Sequence, residues 1–173
     1  MHQLILLRHA QAVPFSAQAT DHDRALTPRG TLAAASIGRA MRSAGVSPDV
    51  VLVSSALRTQ QTFTALEAAS VWDEWPNIDT IPALYMATKT QLLEILRNLP
   101  ETVRSALAIG HNPGLHELAI DLSGPRNPRP DLARLHDSYP TATLTEFLVT
   151  TPWRRLAPGA ATLQRYLPAA DLV

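Results

Sequence analysis

Leu4-Ile5-Leu6-Leu7-Arg8-His9-Ala10-Gln11-Ala12 runs from consecutive apolar residues straight into an arginine and a histidine. An apolar run of this length reads as a buried strand over Gln3 to Leu7. In an open α/β sheet the C-terminal ends of parallel strands face the ligand crevice, so this strand would deliver Arg8 and His9 there. An Arg-His pair is common by itself. Two further segments end the same way, however. Val50-Val51-Leu52-Val53-Ser54-Ser55-Ala56-Leu57-Arg58 is an apolar strand followed by an arginine, and Ala106-Leu107-Ala108-Ile109-Gly110-His111-Asn112 is one followed by glycine and a second histidine.

Helical patterns lie between these strands. Thr27-Pro28-Arg29-Gly30 opens a helix, with Thr27 as N-cap and Pro28 at the first helical position. Leu32, Ala35, Ile37, Ala40 and Met41 are expected on its buried face, and Gly45 is placed to end it. A second helix is expected from about Ala56 to Ala69, with Leu57, Phe63, Leu66 and Ala69 at helical spacing. Ile78 to Leu84 reads as a short strand whose Pro82 suggests a sheet edge or a strand end. Helices over Thr90 to Leu99 and Pro113 to Leu122 flank the strand at Ser105 to Ile109. Gly124 to Pro140 reads as a loop rich in proline and arginine, Thr141 to Val149 as a strand, and Ala161 to Leu167 as a last one. The alternation predicts a three-layer α/β/α sandwich around a mostly parallel sheet.

The chain has 173 residues, expected to form one domain over 1–173, with 46% hydrophobic residues. Fifteen basic and fifteen acidic residues cancel, so nothing in the charge suggests nucleic acid or a membrane surface as partner. The absence of cysteine excludes disulfides, thiolate catalysis and cysteine-ligated metals. No apolar stretch approaches the ~20 residues that span a bilayer, and no signal-like segment precedes Leu4. A cytoplasmic setting is therefore expected.

Arg8, His9, Arg58 and His111 converge in this reading on one crevice. Planar guanidinium forks suit the oxygens of a transferred phosphoryl group. A neutral imidazole can attack phosphorus and hold it covalently, dividing one hard displacement into two easier ones. The helix opening near Pro113 would add backbone N–H groups aimed at an anion.

Together these segments resemble the histidine phosphatase superfamily, with its phosphoglycerate mutase-like fold, and within it the small SixA-type phosphohistidine phosphatases. Leu6-Leu7-Arg8-His9-Ala10 matches the opening Arg-His-Gly motif, and Asp23 to Gly30 looks like the segment leading into the first helix. Ser54 to Thr62 matches the second arginine motif, and Gly110 to Leu115 the second histidine motif. The resemblance implies His9 as the phosphorylated nucleophile, with Arg8, Arg58 and His111 forming the phosphate pocket. Ala10 stands where glycine is usual, which removes freedom at positive φ. The superfamily's phosphomonoesterases carry an acidic residue after the third strand, whereas Leu84 to Gln91 has none. A leaving group that needs little help from an acid fits best, such as the imidazole of a phosphoramidate.

The expected activity is metal-independent dephosphorylation of phosphohistidine in a phosphotransfer protein, with no cofactor. One alternative is a general small-molecule phosphomonoesterase using Asp21 or Asp23 as acid, although both read first as turn formers or ion-pair partners. Another is a binding module for phosphate or phosphoproteins without turnover; the presence of all four pocket residues argues against it. Arg24 reads as a pin for the loop before the first helix. His116-Glu117 lacks a second histidine at Ile120, so no zinc motif is formed. His2, His22 and His136 are expected at the surface, and Trp72, Trp75 and Trp153 in packing roles.

Overall fold

The computed structural model describes residues 1–70, 72–124 and 130–172. Its elements are β1 (His2–Arg8), α1 (Pro28–Ser43), β2 (Val50–Ser54), α2 (Leu57–Ser70), β3 (Asn77–Ile81), α3 (Lys89–Arg97), β4 (Ser105–Gly110), α4 (Gly114–Ser123), α5 (Pro130–Asp137), β5 (Thr143–Val149) and β6 (Ala161–Pro168). The strands form one sheet in the order β3-β2-β4-β1-β5-β6. Pairings of β3 with β2, β2 with β4 and β4 with β1 are parallel, whereas β5 is antiparallel to both β1 and β6. Only β5 runs against the others, so the sheet is mostly parallel as expected.

Strand β1 shows why helices cover both faces. Leu4 and Leu6 point into a core with Leu92, Leu96, Leu115, Leu118 and Leu135, from α3, α4 and α5. Ile5 and Leu7 point the other way, against Ala34, Ile37, Met41, Phe63 and Leu66 of α1 and α2. Successive side chains alternate between faces, so a strand apolar throughout needs apolar cover on each. The connections from β1 to β2 and β2 to β3 move one way along the sheet, and that from β3 to β4 moves back. Right-handed crossovers then require helices on opposite faces, which is the arrangement of α1 and α2 against α3.

Local signals set several boundaries. Thr27 accepts a hydrogen bond from the Gly30 N–H at 3.0 Å and Pro28 opens α1, as the sequence predicts. The buried face of α1 is Gly30, Ala34, Ile37, Gly38 and Met41, and Leu32 is 68% exposed, contrary to expectation. The face is rotated because Gly38 lets α1 approach the backbone of α2 at Leu66, where a Cβ would meet a carbonyl oxygen at 2.3 Å. Leu57 is also exposed, since α2 turns Arg58, Thr59 and Thr62 inward instead. A capping box of Thr88 and Gln91 starts α3 at Lys89, one residue before the predicted point.

β3 is an edge strand that ends at Ile81, just before Pro82 as the proline suggests, and Pro82–Leu84, expected within the strand, is instead a short 3-10 turn. In the segment read as a loop from Gly124 to Pro140, Pro130–Asp137 is instead helical, burying Leu132 and Leu135. Residues 125–129 of that predicted loop lie outside the described residues. His2 is half-buried and not fully at the surface: its ring lies tilted against that of Trp153 with centroids 4.7 Å apart, and its Nδ1 is 3.0 Å from Val103 O. No helix among the described residues is long and apolar enough to cross a membrane.

Candidate active site

Adjacent strand ends build the site. Arg8 pairs with Gly110 in the β1–β4 ladder, so His9 and His111 are the first residues beyond two neighbouring parallel strands. The His9 backbone N–H still bonds to Gly110 O at 3.1 Å, and the two imidazole centroids are 5.3 Å apart. β2, on the other side of β4, ends at Ser54, whose hydroxyl is 2.7 Å from His111 Nε2. Arg58 follows one turn later, in the first turn of α2. The four residues singled out from the sequence therefore meet at the C-terminal edge of the sheet. They line an open cleft of about 360 Å³ together with Gln11, Ala12, Asp21, Arg24, Met86, Asn112 and Thr141.

His9 is oriented by its neighbours. Nδ1 lies 2.7 Å from Ala10 O, and a carbonyl can only accept, so the ring proton is on Nδ1 and Nε2 carries the lone pair. Arg58 Nε–H donates to that Nε2 at 3.3 Å. Burial, opposed in part by the Ala10 bond, holds the His9 pKa down to about 4, with Arg58 and Arg8 adding to the depression. Burial first, then the charges of His9 and Arg58, bring His111 down to about 3. Both rings are neutral at pH 7. Ala10 packs in the core with its N–H on Thr62 Oγ1 at 2.9 Å, and it is not at positive φ. Its methyl is accommodated without strain.

The arginines are held from behind. Arg8 Nη1 donates to Tyr139 O at 2.9 Å, and Asn112 Nδ2 donates to the same oxygen at 2.9 Å. Arg8 Nε, His111 Nδ1 and Asn112 Oδ1 are buried without a partner. Unsatisfied buried polar atoms are rare, and three gathered around one cleft point to a ligand that completes them. Arg58, 3% exposed, donates Nη1 to Asp21 O at 2.7 Å and Nη2 to Asp21 Oδ2 at 3.1 Å. Met86, at φ 50, brings its Sδ to 3.9 Å from Arg58 Nη2. Three guanidinium groups and one carboxylate line the cleft beside two neutral imidazoles, which leaves an excess of two positive charges. That excess matches a phosphoryl dianion.

Other expectations fall out differently. Asp21 is an ion-pair partner of Arg58 and Arg24, and Arg24 pins the loop through Val13 O at 2.9 Å. The Tyr85 hydroxyl bond, helped by Arg58, holds the Asp21 carboxyl below the usual range, so it carries no proton to donate at pH 7. The cleft is lined by His111 and Asn112, ahead of α4, and not by the helix's own first turn. Sequence reasoning missed Tyr85, Asn112 and the carbonyl of Tyr139. Only Asn112, next to His111, carried a signal that could have been read.

A mostly parallel sheet whose strand ends bring two neutral histidines, the buried Arg58 and the half-buried Arg8 to one anion-sized cleft defines a phosphoryl-handling enzyme. The comparisons place it further. Residues 4–106 match the family model of the histidine phosphatase superfamily (branch 1), and the chain belongs to that superfamily and is a phosphatase. An uncharacterised protein of Mycobacterium tuberculosis is 30% identical over 160 residues, 91% of this chain and 96% of the relative. A candidate phosphohistidine phosphatase SixA from Nakamurella multipartitia is 27% identical with a TM-score of 0.82, covering 96% of this chain and 95% of its own. Its counterpart from Agrobacterium tumefaciens is 27% identical with a TM-score of 0.77, covering 96% and 97%.

Proposed function

We propose that the chain, as one histidine phosphatase domain over 1–173, dephosphorylates phosphohistidine in a partner phosphotransfer protein, in the cytoplasm and without a metal. The observation that carries this reading is the fixed tautomer of His9, which puts the lone pair on Nε2, shared in the resting site with Arg58 Nε–H, at a cleft rich in guanidinium groups. Nε2 attacks phosphorus as the P–N bond of the substrate breaks, and Arg8 and Arg58 hold the equatorial oxygens. The substrate ring leaves as neutral imidazole once its far nitrogen has taken a proton from solvent. Water then attacks the phosphoryl group on His9, releasing inorganic phosphate and restoring the free ring. His111 Nδ1, buried and unpartnered, supplies a further contact to the phosphoryl oxygens when Ser54 donates to Nε2.

The leaving group follows from what the cleft offers. Asp21 stays ionised, and Leu84 to Gln91 carries no acid, so no carboxylic acid is ready to protonate an alkoxide. The positive charge a metal would bring is supplied by arginine. The names of the Nakamurella and Agrobacterium neighbours agree with a phosphohistidine substrate. The test is to treat a phosphohistidine-bearing phosphotransfer domain with purified protein and no added metal. Wild type is expected to release phosphate and to trap an acid-labile, base-stable phosphate on His9. His9→Ala is expected to do neither while remaining folded, and full activity in that variant would end the reading.

A further inference from the structure

We propose that Asp21 is a positioning residue of this reaction, fixing the plane of the Arg58 guanidinium beside His9 so that, when Nε2 bonds phosphorus, the Nε–H it releases is already placed to pass to a phosphoryl oxygen. The proposal rests on the reading of His9 and Arg58 given above. Each nitrogen of Arg58 has a protein acceptor: Nε on His9 Nε2 at 3.3 Å, Nη1 on Asp21 O at 2.7 Å and Nη2 on Asp21 Oδ2 at 3.1 Å. A guanidinium is planar, so two acceptors from one residue on its outer edge set the plane and hence the direction of the remaining Nε–H. Nη1 keeps one N–H free for a phosphoryl oxygen, and the second N–H of Nη2 meets only the weak acceptor Met86 Sδ at 3.9 Å.

Asp21 is itself braced. The Tyr85 hydroxyl donates to Oδ2 at 2.6 Å, and Arg24 Nη1 donates to Oδ1 at 3.1 Å. The short turn Asp21–Asp23 is capped by Thr20. Next to it, His22 Nε2 lies 3.0 Å from Ser55 Oγ and its ring meets that of Tyr85 at 4.9 Å. These contacts tie the turn to α2 and to the segment after β3, so the carboxylate cannot drift from the arginine. A fixed negative charge beside a phosphate cleft repels the substrate. Orientation of Arg58 in the chemical step is what offsets that cost. Neutralising Asp21 should therefore harm turnover without weakening phosphate binding.

The experiment compares wild type, Asp21→Asn, Tyr85→Phe and Asp23→Asn, using an aryl phosphate and a phosphohistidine domain as substrates and inorganic phosphate as inhibitor. Asp21→Asn is expected to lose roughly 10- to 100-fold in kcat, the scale of a misplaced catalytic group. Its inhibition by inorganic phosphate should be unchanged or tighter. The Arg58 Nε–H nuclear magnetic resonance signal should be visible and slow to exchange in wild type, and should broaden or vanish in that variant. Tyr85→Phe should move kcat in the same direction by less, and Asp23→Asn, the same charge change on an exposed neighbour, should leave it alone. A kcat for Asp21→Asn within about twofold of wild type overturns the proposal. So does a matching loss of kcat and phosphate affinity, which marks a merely structural role. If Asp21→Asn does not fold, wild-type kcat in Tyr85→Phe overturns it. A wild type inactive on both substrates would instead remove the function reading, and the proposal with it.

Discussion

Arg58 does with one side chain what a lysine cannot, because it addresses His9 and Asp21 in the same plane while 3% exposed. Arg58→Lys keeps the charge but loses the fork, so kcat/KM should fall by about 10- to 1000-fold in steady-state assays. A lysine variant within about twofold of wild type would make the arginine peripheral. The two imidazoles make a second prediction at this scale. Their folded pKa values are depressed to about 4 and about 3, below the ordinary histidine value of 6.5. Between those limits the unfolded chain binds more protons than the folded one, so stability rises with pH across that window and is lost as pH falls through it. In a magnetic resonance titration the His9 and His111 ring signals should stay constant through pH 6.5 and move only near pH 4 and pH 3. Ring signals moving at pH 6.5 would show that the site is open to water.

At the scale of elements, the site depends on α4 lying close to the turn after β3. A Cβ on Gly114 would meet Ala87 O at 1.9 Å, so that contact admits only hydrogen. Gly114→Ala should cost about 1–3 kcal/mol in urea unfolding, as overpacking does, and should lower turnover by displacing Tyr85 and Met86 beside Arg58. Unchanged stability would mean the turn can retreat freely. The strands and most helices were legible because their signals are local: apolar runs, the Thr27-Pro28 cap, and Gly45 at φ 66 ending α1. His9, Arg58 and His111 were legible for the same reason, since each follows an apolar strand. Helix α5 was masked by surrounding proline and arginine, although Pro130 at its first position with Leu132 and Leu135 three apart was a readable start. The partners of the site were not legible. Asp21 reaches Arg58 across 37 residues and Tyr85 reaches Asp21 across 64, and no periodicity encodes such contacts.

Across the whole molecule, the described residues bring guanidinium groups and a His9 of fixed tautomer to the cleft, but among its lining residues the sole carboxylate is the ionised Asp21. The two carboxylates of the turn before α1 illustrate this: Asp21 is tied up by Arg58, Arg24 and Tyr85, and the Asp23 side chain is 65% exposed and paired with Thr20. An alkoxide departing unprotonated must carry its full charge, and general acids typically relieve that by ~10²–10⁴-fold. Activity on phosphate esters should therefore fall steeply as the leaving alcohol becomes more basic. Phosphohistidine should be cleaved fastest, aryl phosphates slowly, and alkyl or sugar phosphates hardly at all. A series of aryl phosphates with graded leaving-group pKa, measured as kcat/KM beside a phosphohistidine domain, gives the slope directly. Since Asp23 contributes nothing to the cleft, Asp23→Asn should leave that slope in place. A flat dependence, or efficient hydrolysis of sugar phosphates that disappears in Asp23→Asn, would instead show a general phosphomonoesterase with its acid on the turn.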